Sequence, residues 1–193
     1  MPQLDWLEAI AVAFGIVSVY LSVKQIIWSW PTAIINVTLY FVIFGRERFY
    51  ALMGLQVCYA AISVYGWYQW LYGGEHRSPL LVSRTPRRVA MLLPAIWAAG
   101  LVGLGLALDR TTENPIPYVD AGLAVASLIA MWMMGRKYLE HWGVWIAVDV
   151  VSIAVFIRQD LLLTAFLYAV FLVLSARGLV EWHRSWRSRA GAG

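Results

Sequence analysis

The stretch His141-Trp-Gly-Val-Trp-Ile-Ala-Val-Asp149 decides the fold, because it sets a carboxylate midway along an apolar run. Eight uncharged residues precede Asp149, back to His141, and eight follow it, to Ile157. Such a run reads as a membrane span. An aspartate at the centre of a span costs roughly 2.5–3.5 kcal/mol on insertion scales, so it normally faces a cavity or a partner instead of lipid. Asn36 stands at the middle of an earlier span, 113 residues upstream. A polar site at mid-membrane points to a transporter.

Composition agrees. The 193 residues are 61% apolar and only 13% charged, with a mean hydropathy of +0.67. A soluble domain of that composition would have an apolar surface. The charges cluster between long uncharged runs, each approaching the ~20 residues needed to cross a ~30 Å hydrocarbon core. The whole chain therefore reads as one integral membrane domain in contact with the lipid bilayer. Its opening, Met1-Pro-Gln-Leu-Asp-Trp-Leu-Glu8, has no basic residue before the first apolar run, so it reads as the first span and not as a cleaved signal. The lone Cys58 excludes an internal disulfide. A net charge of +4 is what basic residues on the cytoplasmic side would give, and there is no basic surface domain to bind nucleic acid.

Seven spans are expected, at about 6–23, 25–45, 49–72, 89–108, 115–135, 139–157 and 160–182. Aromatic rings such as Trp6, Tyr50, Trp67, Trp70, Tyr118, Tyr138 and Trp182 crowd their ends and read as a headgroup belt. One side holds four basic residues, Arg46, Arg48, Arg110 and Arg158. The other holds ten, among them Lys24, Arg84, Arg136, Lys137 and Arg187. This predicts an outside N-terminus and a cytoplasmic C-terminus in a bacterial inner membrane.

The first three spans (within 6–72) and the last three (within 115–183) resemble each other. Lys24 aligns with Lys137 and Asn36 with Asp149 at an offset of 113. Ser63, Gly66 and Trp70 align with Ser175, Gly178 and Trp182 at 112. A cytoplasmic loop, a linker helix and an outer loop fill 73–114, and a basic tail is expected over 184–193. One intervening helix restores the direction of the second triplet, which gives a 3+1+3 parallel repeat in an all-α membrane fold.

Trp142, Trp145 and Asp149 stand at i, i+3 and i+7, on one helix face. Two flat rings and an acid at that depth suit a planar cation, stacked by the rings and neutralised by the carboxylate. The duller alternatives are a headgroup anchor for Trp142 and an interhelical hydrogen bond for Asp149. The corresponding face of the first repeat carries Asn36, whose alternative role is interhelical glue worth on the order of 1 kcal/mol. Gln56, with Tyr59 and Ser63, forms another face and is a candidate ligand group. Pro31 should kink the second span by clashing with the carbonyl of Ile27, and Trp67 is a candidate for the inner gate.

No Walker sequence, nucleophile elbow or metal-ligand spacing appears, so neither an enzyme nor a metal or other cofactor is expected. Two rivals remain, a membrane enzyme using Asp149 as acid and base, and a non-transporting subunit recruiting a soluble protein through the basic loop.

Trp30-Pro-Thr-Ala-Ile-Ile-Asn-Val-Thr-Leu-Tyr40, Leu55-Gln-Val-Cys-Tyr59, Tyr65-Gly-Trp-Tyr-Gln-Trp70 and the WxxWxxxD run ending at Asp149 together resemble the PnuC family of bacterial nicotinamide riboside transporters. The resemblance extends over nearly the whole chain. It implies a SWEET-like seven-helix fold, often a homotrimer, and facilitated diffusion of a small vitamin. A separate cytoplasmic kinase would trap that vitamin and so link uptake to NAD biosynthesis. It implies substrate contact by Trp142, Trp145, Asp149, Asn36 and Gln56. Nicotinamide riboside and thiamine are both cationic and suit Asp149 equally; riboflavin is neutral and bulkier.

Overall fold

The computed structural model describes residues 6–190. The reading of Met1–Glu8 as an uncleaved start, and the last residues of the tail, fall partly outside the described residues. So do the side chains of Tyr50, Ala51, Arg189 and Ala190. The described chain forms α1 (Trp6–Val23), α2 (Ser29–Arg46), α3 (Tyr50–Tyr72), α4 (Arg87–Thr111), α5 (Pro117–Gly135), α6 (His141–Arg158) and α7 (Leu162–Ala190). All except α1, α4, α5, α6 and α7 fall short of being apolar and long enough to cross a membrane by length and composition alone. These two are less apolar: α2 carries Ser29, Pro31, Thr32, Asn36 and Thr38, and α3 carries five tyrosines and two tryptophans. At 18 and 23 residues they are still about 27 and 34 Å long. The fold is all-α and membrane-embedded, in the expected 3+1+3 order.

The two triplets correspond at a single offset of 112 residues. Helices α2 and α6 begin at Ser29 and His141 and end at Arg46 and Arg158. The connections carry left-handed residues at matching places, Gln25 (φ 56°) with Lys137 (φ 52°) and Arg48 (φ 61°) with Asp160 (φ 57°). Non-glycine residues seldom adopt this conformation, so its recurrence marks the register better than side-chain identity does. The expected offset of 113 for the second and sixth spans is therefore corrected to 112. Asp149 matches Val37, and Trp142 matches Trp30. Asn36 is one position away, which on a helix is a rotation of about 100°.

Two boundaries also shift. Residues 24–28 form a turn around Gln25, so α2 starts at Ser29 and not at 25. Pro31 is then the third residue of its helix. A missing N–H in the first turn removes a donor that has no intrahelical partner anyway, and the physical reason for a kink there disappears. At the other end, α7 continues to Ala190, and residues 184–190 are helical where a tail was expected.

Packing ties the halves together crosswise. Within each triplet neighbouring helices pack in order, while α3 lies on α5 and α7 lies on α1. The linker α4 runs through Pro94 and packs on α5, where the Trp97 indole donates to the Gly122 carbonyl at 3.0 Å. Before α5, the Asn114 side chain accepts from the Ile116 N–H and donates to Asp120, which fixes the Asn-Pro-Ile-Pro turn. The loop after α3 straps across the α5–α6 connection. Ser83 donates to the Lys137 carbonyl and accepts from the Leu139 N–H. Glu140 then takes Arg84 on one oxygen (2.9 Å) and the Thr85 N–H and hydroxyl on the other (2.8 and 2.7 Å).

Candidate functional site

At the end of the bundle where α1, α3 and α5 finish and α2 and α6 start, four tryptophans form a chain of contacts. Trp30 meets Trp70 edge-on with centroids 5.4 Å apart, Trp70 meets Trp182 at 5.8 Å, and Trp182 meets Trp142 edge-on at 5.6 Å. All four are buried. Gly66 and Gly178 make room for them, since a methyl group at either position would overlap the Trp30 or the Trp142 ring. Trp70 and Trp182 were expected in the headgroup belt. They are core instead, because each indole N–H finds a buried carbonyl that a lipid interface would not supply. Trp6, Trp67, Tyr68 and Tyr72 are exposed, as the belt reading expects.

Beside this cluster His141 is wholly buried, with Nδ1 2.6 Å from the Tyr138 carbonyl and its ring against Trp142 and Trp182. Among the described residues, four buried polar side-chain atoms lack a hydrogen-bond partner: Ser29 Oγ, Trp30 Nε1, His141 Nε2 and Trp142 Nε1. They are two pairs of equivalent positions, 29 with 141 and 30 with 142. Buried unpaired polar atoms are rare in folded proteins, and here they recur in each half.

Asp149 lies two turns further along α6 than Trp142. It is buried, so the carboxylate avoids the acyl chains, and Ser175 Oγ of α7 donates to it at 3.0 Å. Neither of the two ion pairs among the described residues, Lys24–Glu181 and Arg84–Glu140, includes it. A carboxylate has about four acceptor positions, so one serine leaves most of that capacity open. Ser152, one turn on, is buried as well. Tyr168 of α7 lies within interacting reach of Asp149 and Ser152, and also of Tyr59 on α3 and Tyr40 on α2. Tyr168 thus stands in electrostatic range of side chains from both triplets.

The equivalent position in the first half lacks this chemistry. Ser63 matches Ser175, yet with valine at position 37 its hydroxyl donates to the Tyr59 carbonyl of its own helix at 2.8 Å. Of the two equivalent positions, only the one in the second half carries an acid.

The predicted site residues divide accordingly. Trp142, Trp145 and Asp149 share one side of α6, with Trp145 partly buried against the tryptophan cluster. Gln56 is partly buried one turn before Tyr59 on α3. Asn36 is not brought to Asp149's equivalent position; its Nδ2 donates to the Ala11 carbonyl at 2.7 Å and lies against Gly15, in the seam between α1 and α2. Trp67 is 37% exposed, and the ring that enters the interior from its segment is Trp70. Ser152, Tyr168, Ser175 and Trp30 were not singled out as ligand groups. For Trp30 and Ser175 the signal was present in the 112-residue repeat.

Outside the helices, Glu140 anchors the strap through charge-assisted hydrogen bonds. Burial alone would raise its pKa, but the bonds from the Thr85 hydroxyl, Arg84 and the Thr85 N–H outweigh it and hold the pKa below 4.5.

Comparison with known proteins extends over nearly all of this framework. The family model for the nicotinamide mononucleotide transporter matches residues 5–184. The chain is 26% identical to the nicotinamide riboside transporter PnuC of Escherichia coli (strain K12), covering 97% of this chain and 89% of that one. It is also 26% identical to the riboflavin/roseoflavin transporter RibM of Streptomyces davaonensis, covering 92% and 84%. A crystal structure of the vitamin B3 transporter PnuC superposes with a TM-score of 0.75 at 22% identity, over 95% of this chain and 83% of that one.

Proposed function

The chain belongs to the nicotinamide mononucleotide transporter family, the family of PnuC, and from that premise we propose that it carries nicotinamide riboside across the bacterial inner membrane. The observation that carries the substrate choice is Asp149, a mid-span carboxylate shielded from lipid, with no ion-pair partner among the described residues and with hydroxyl and aromatic side chains around it. A flat cation supplies the missing countercharge. In this reading Trp145 stacks on the pyridinium ring and Asp149 balances its charge. Gln56, Tyr168 and the indole N–H of Trp142 bond the ribose hydroxyls or the carboxamide. Asn36 serves the α1–α2 seam and indirectly fixes the site's first half.

Transport is facilitated diffusion, with the two triplets rocking about the one acidic site. Phosphorylation by a separate cytoplasmic kinase keeps the gradient inward. The excess of basic residues at the α5–α6 end supports a cytoplasmic C-terminus and an outside N-terminus. Assembly as a homotrimer rests on family resemblance.

Thiamine is the second reading, because it too is a flat cation and Asp149 serves it equally well. Proteoliposomes containing only the purified chain test both. Saturable uptake of labelled nicotinamide riboside, insensitive to a pH gradient and weakly inhibited by thiamine or riboflavin, is expected. Absence of flux, flux only with a proton gradient, or a clear preference for another vitamin would overturn the assignment.

A further inference from the structure

Two recesses meet at the first turn of α6. The first is a groove of about 790 Å³ between α4, α5 and α6, lined almost wholly by apolar side chains including Pro94, Trp97, Tyr118, Ala147 and Val151. The second, about 720 Å³, lies between α6, α7 and the strap, and its rim carries Arg84, His183, Arg184 and Arg187. Glu140 and Gly143 border both.

Glu140 does not neutralise the second recess. Its charge is matched by that of Arg84, which it binds together with Thr85, so Arg184 and Arg187 leave the recess positive. Arg84 is further held over the Trp186 ring, 4.9 Å from its centroid. At the junction, a methyl group added at Gly143 would meet nothing within 4 Å, so the first turn of α6 is open on this face.

We propose that this junction binds one anionic phospholipid, with its phosphate in the basic recess and one acyl chain in the groove. The dimensions agree. From Glu140 to Val151 the groove follows eleven residues of α6, about 16 Å, which is roughly half of a ~30 Å hydrocarbon core and therefore one leaflet. Basic recesses between membrane helices near the cytoplasmic surface are suited to such headgroups. A soluble anion would use the recess and ignore the groove, whereas a neutral lipid would do the reverse. The lipid would wedge between the strap and α6, beside the connection that precedes Trp142.

The test is native mass spectrometry of the full-length protein with equimolar phosphatidylglycerol and phosphatidylcholine of identical acyl chains. A roughly ten-fold preference for phosphatidylglycerol is expected. Arg184→Gln with Arg187→Gln, both on the exposed surface of α7, should bring that preference close to parity, and Arg184→Lys with Arg187→Lys should restore it. Gly143→Trp should reduce retention of both lipids, whereas Gly143→Ala should not. Equal adducts of the two lipids in the native protein would overturn the proposal. So would displacement of phosphatidylglycerol by millimolar inorganic phosphate, which marks a soluble-anion site. Lipid-free oligomers that take up neither lipid would overturn it in favour of a second copy filling the groove.

Discussion

Trp70 and Trp182 make the same hydrogen bond in opposite halves of the molecule. Each indole N–H donates at 3.0 Å to a carbonyl in the last turn of the other half's first helix, Met134 for Trp70 and Ser22 for Trp182. Donors and acceptors alike are 112 residues apart. The two bonds cross-tie α3 to α5 and α7 to α1, so motion of one triplet against the other must act on both.

Replacing either ring removes one of two donors to its carbonyl, the Lys137 or Gln25 N–H remaining, a loss of about 0.5–1.5 kcal/mol from the hydrogen bond. Trp70→Phe and Trp182→Phe should lower the Tm of the purified protein by similar amounts. The double variant should fall short of additivity, because the two rings touch. Thermal unfolding in detergent checks this, and a large shift for only one of the two would show that the ties are not equivalent.

Gly66 and Gly178 admit the Trp30 and Trp142 rings so closely that a methyl group overlaps them. Gly66→Ala and Gly178→Ala should each destabilise the fold by about 1–3 kcal/mol through overpacking. Gly143→Ala, on an open face, should stay within about 0.5 kcal/mol of the native protein. The comparison is read from yield and from size-exclusion profiles of the three variants.

Ser175 and Ser63 occupy equivalent places, but only Ser175 donates to Asp149. Ser175→Ala should weaken binding of a cationic vitamin about ten-fold, since it removes a bond to a charged acceptor worth about 1.5–3 kcal/mol and lets the carboxylate reorient. Ser63→Ala should leave affinity unchanged. Equal effects in a ligand-binding titration would mean that the repeat, and not the acid, sets the site.

The strap should loosen only in acid. Glu140 has a folded pKa below its ordinary value, so its contribution is fully present above the unfolded pKa and is lost as pH falls through the folded one. Limited proteolysis of residues 78–86 should therefore accelerate below about pH 4. In Glu140→Gln cleavage should already be faster at pH 7 and should change little with acid.

Helix number and order were legible because uncharged runs of membrane length leave few alternatives. The register of the repeat was less so. Matching Asn36 to Asp149 used two rare polar residues as markers, whereas the backbone aligns Asp149 with Val37. A slip of one residue turns a helix face by about 100°, so the sequence paired Asp149 with an amide that the structure ties to the α1–α2 seam. Trp70 and Trp182 were hidden for a different reason. A tryptophan near the end of a span has the same sequence signature whether it lies among headgroups or inside the bundle. Only its fourth neighbour upstream, Gly66 or Gly178, hinted that the helix surface there is hollow enough for another ring. Asp149 was legible because its cost in lipid demands an interior position, and the partners around it were not, because serine and tyrosine are inexpensive at any depth.

The most direct test of the acidic site is equilibrium binding of nicotinamide riboside to the purified protein, compared with Asp149→Asn and Asp149→Leu. Saturable binding to the native chain, weakened at least about ten-fold in Asp149→Asn and abolished in a well-folded Asp149→Leu, is the predicted result. Native affinity in Asp149→Leu would contradict it.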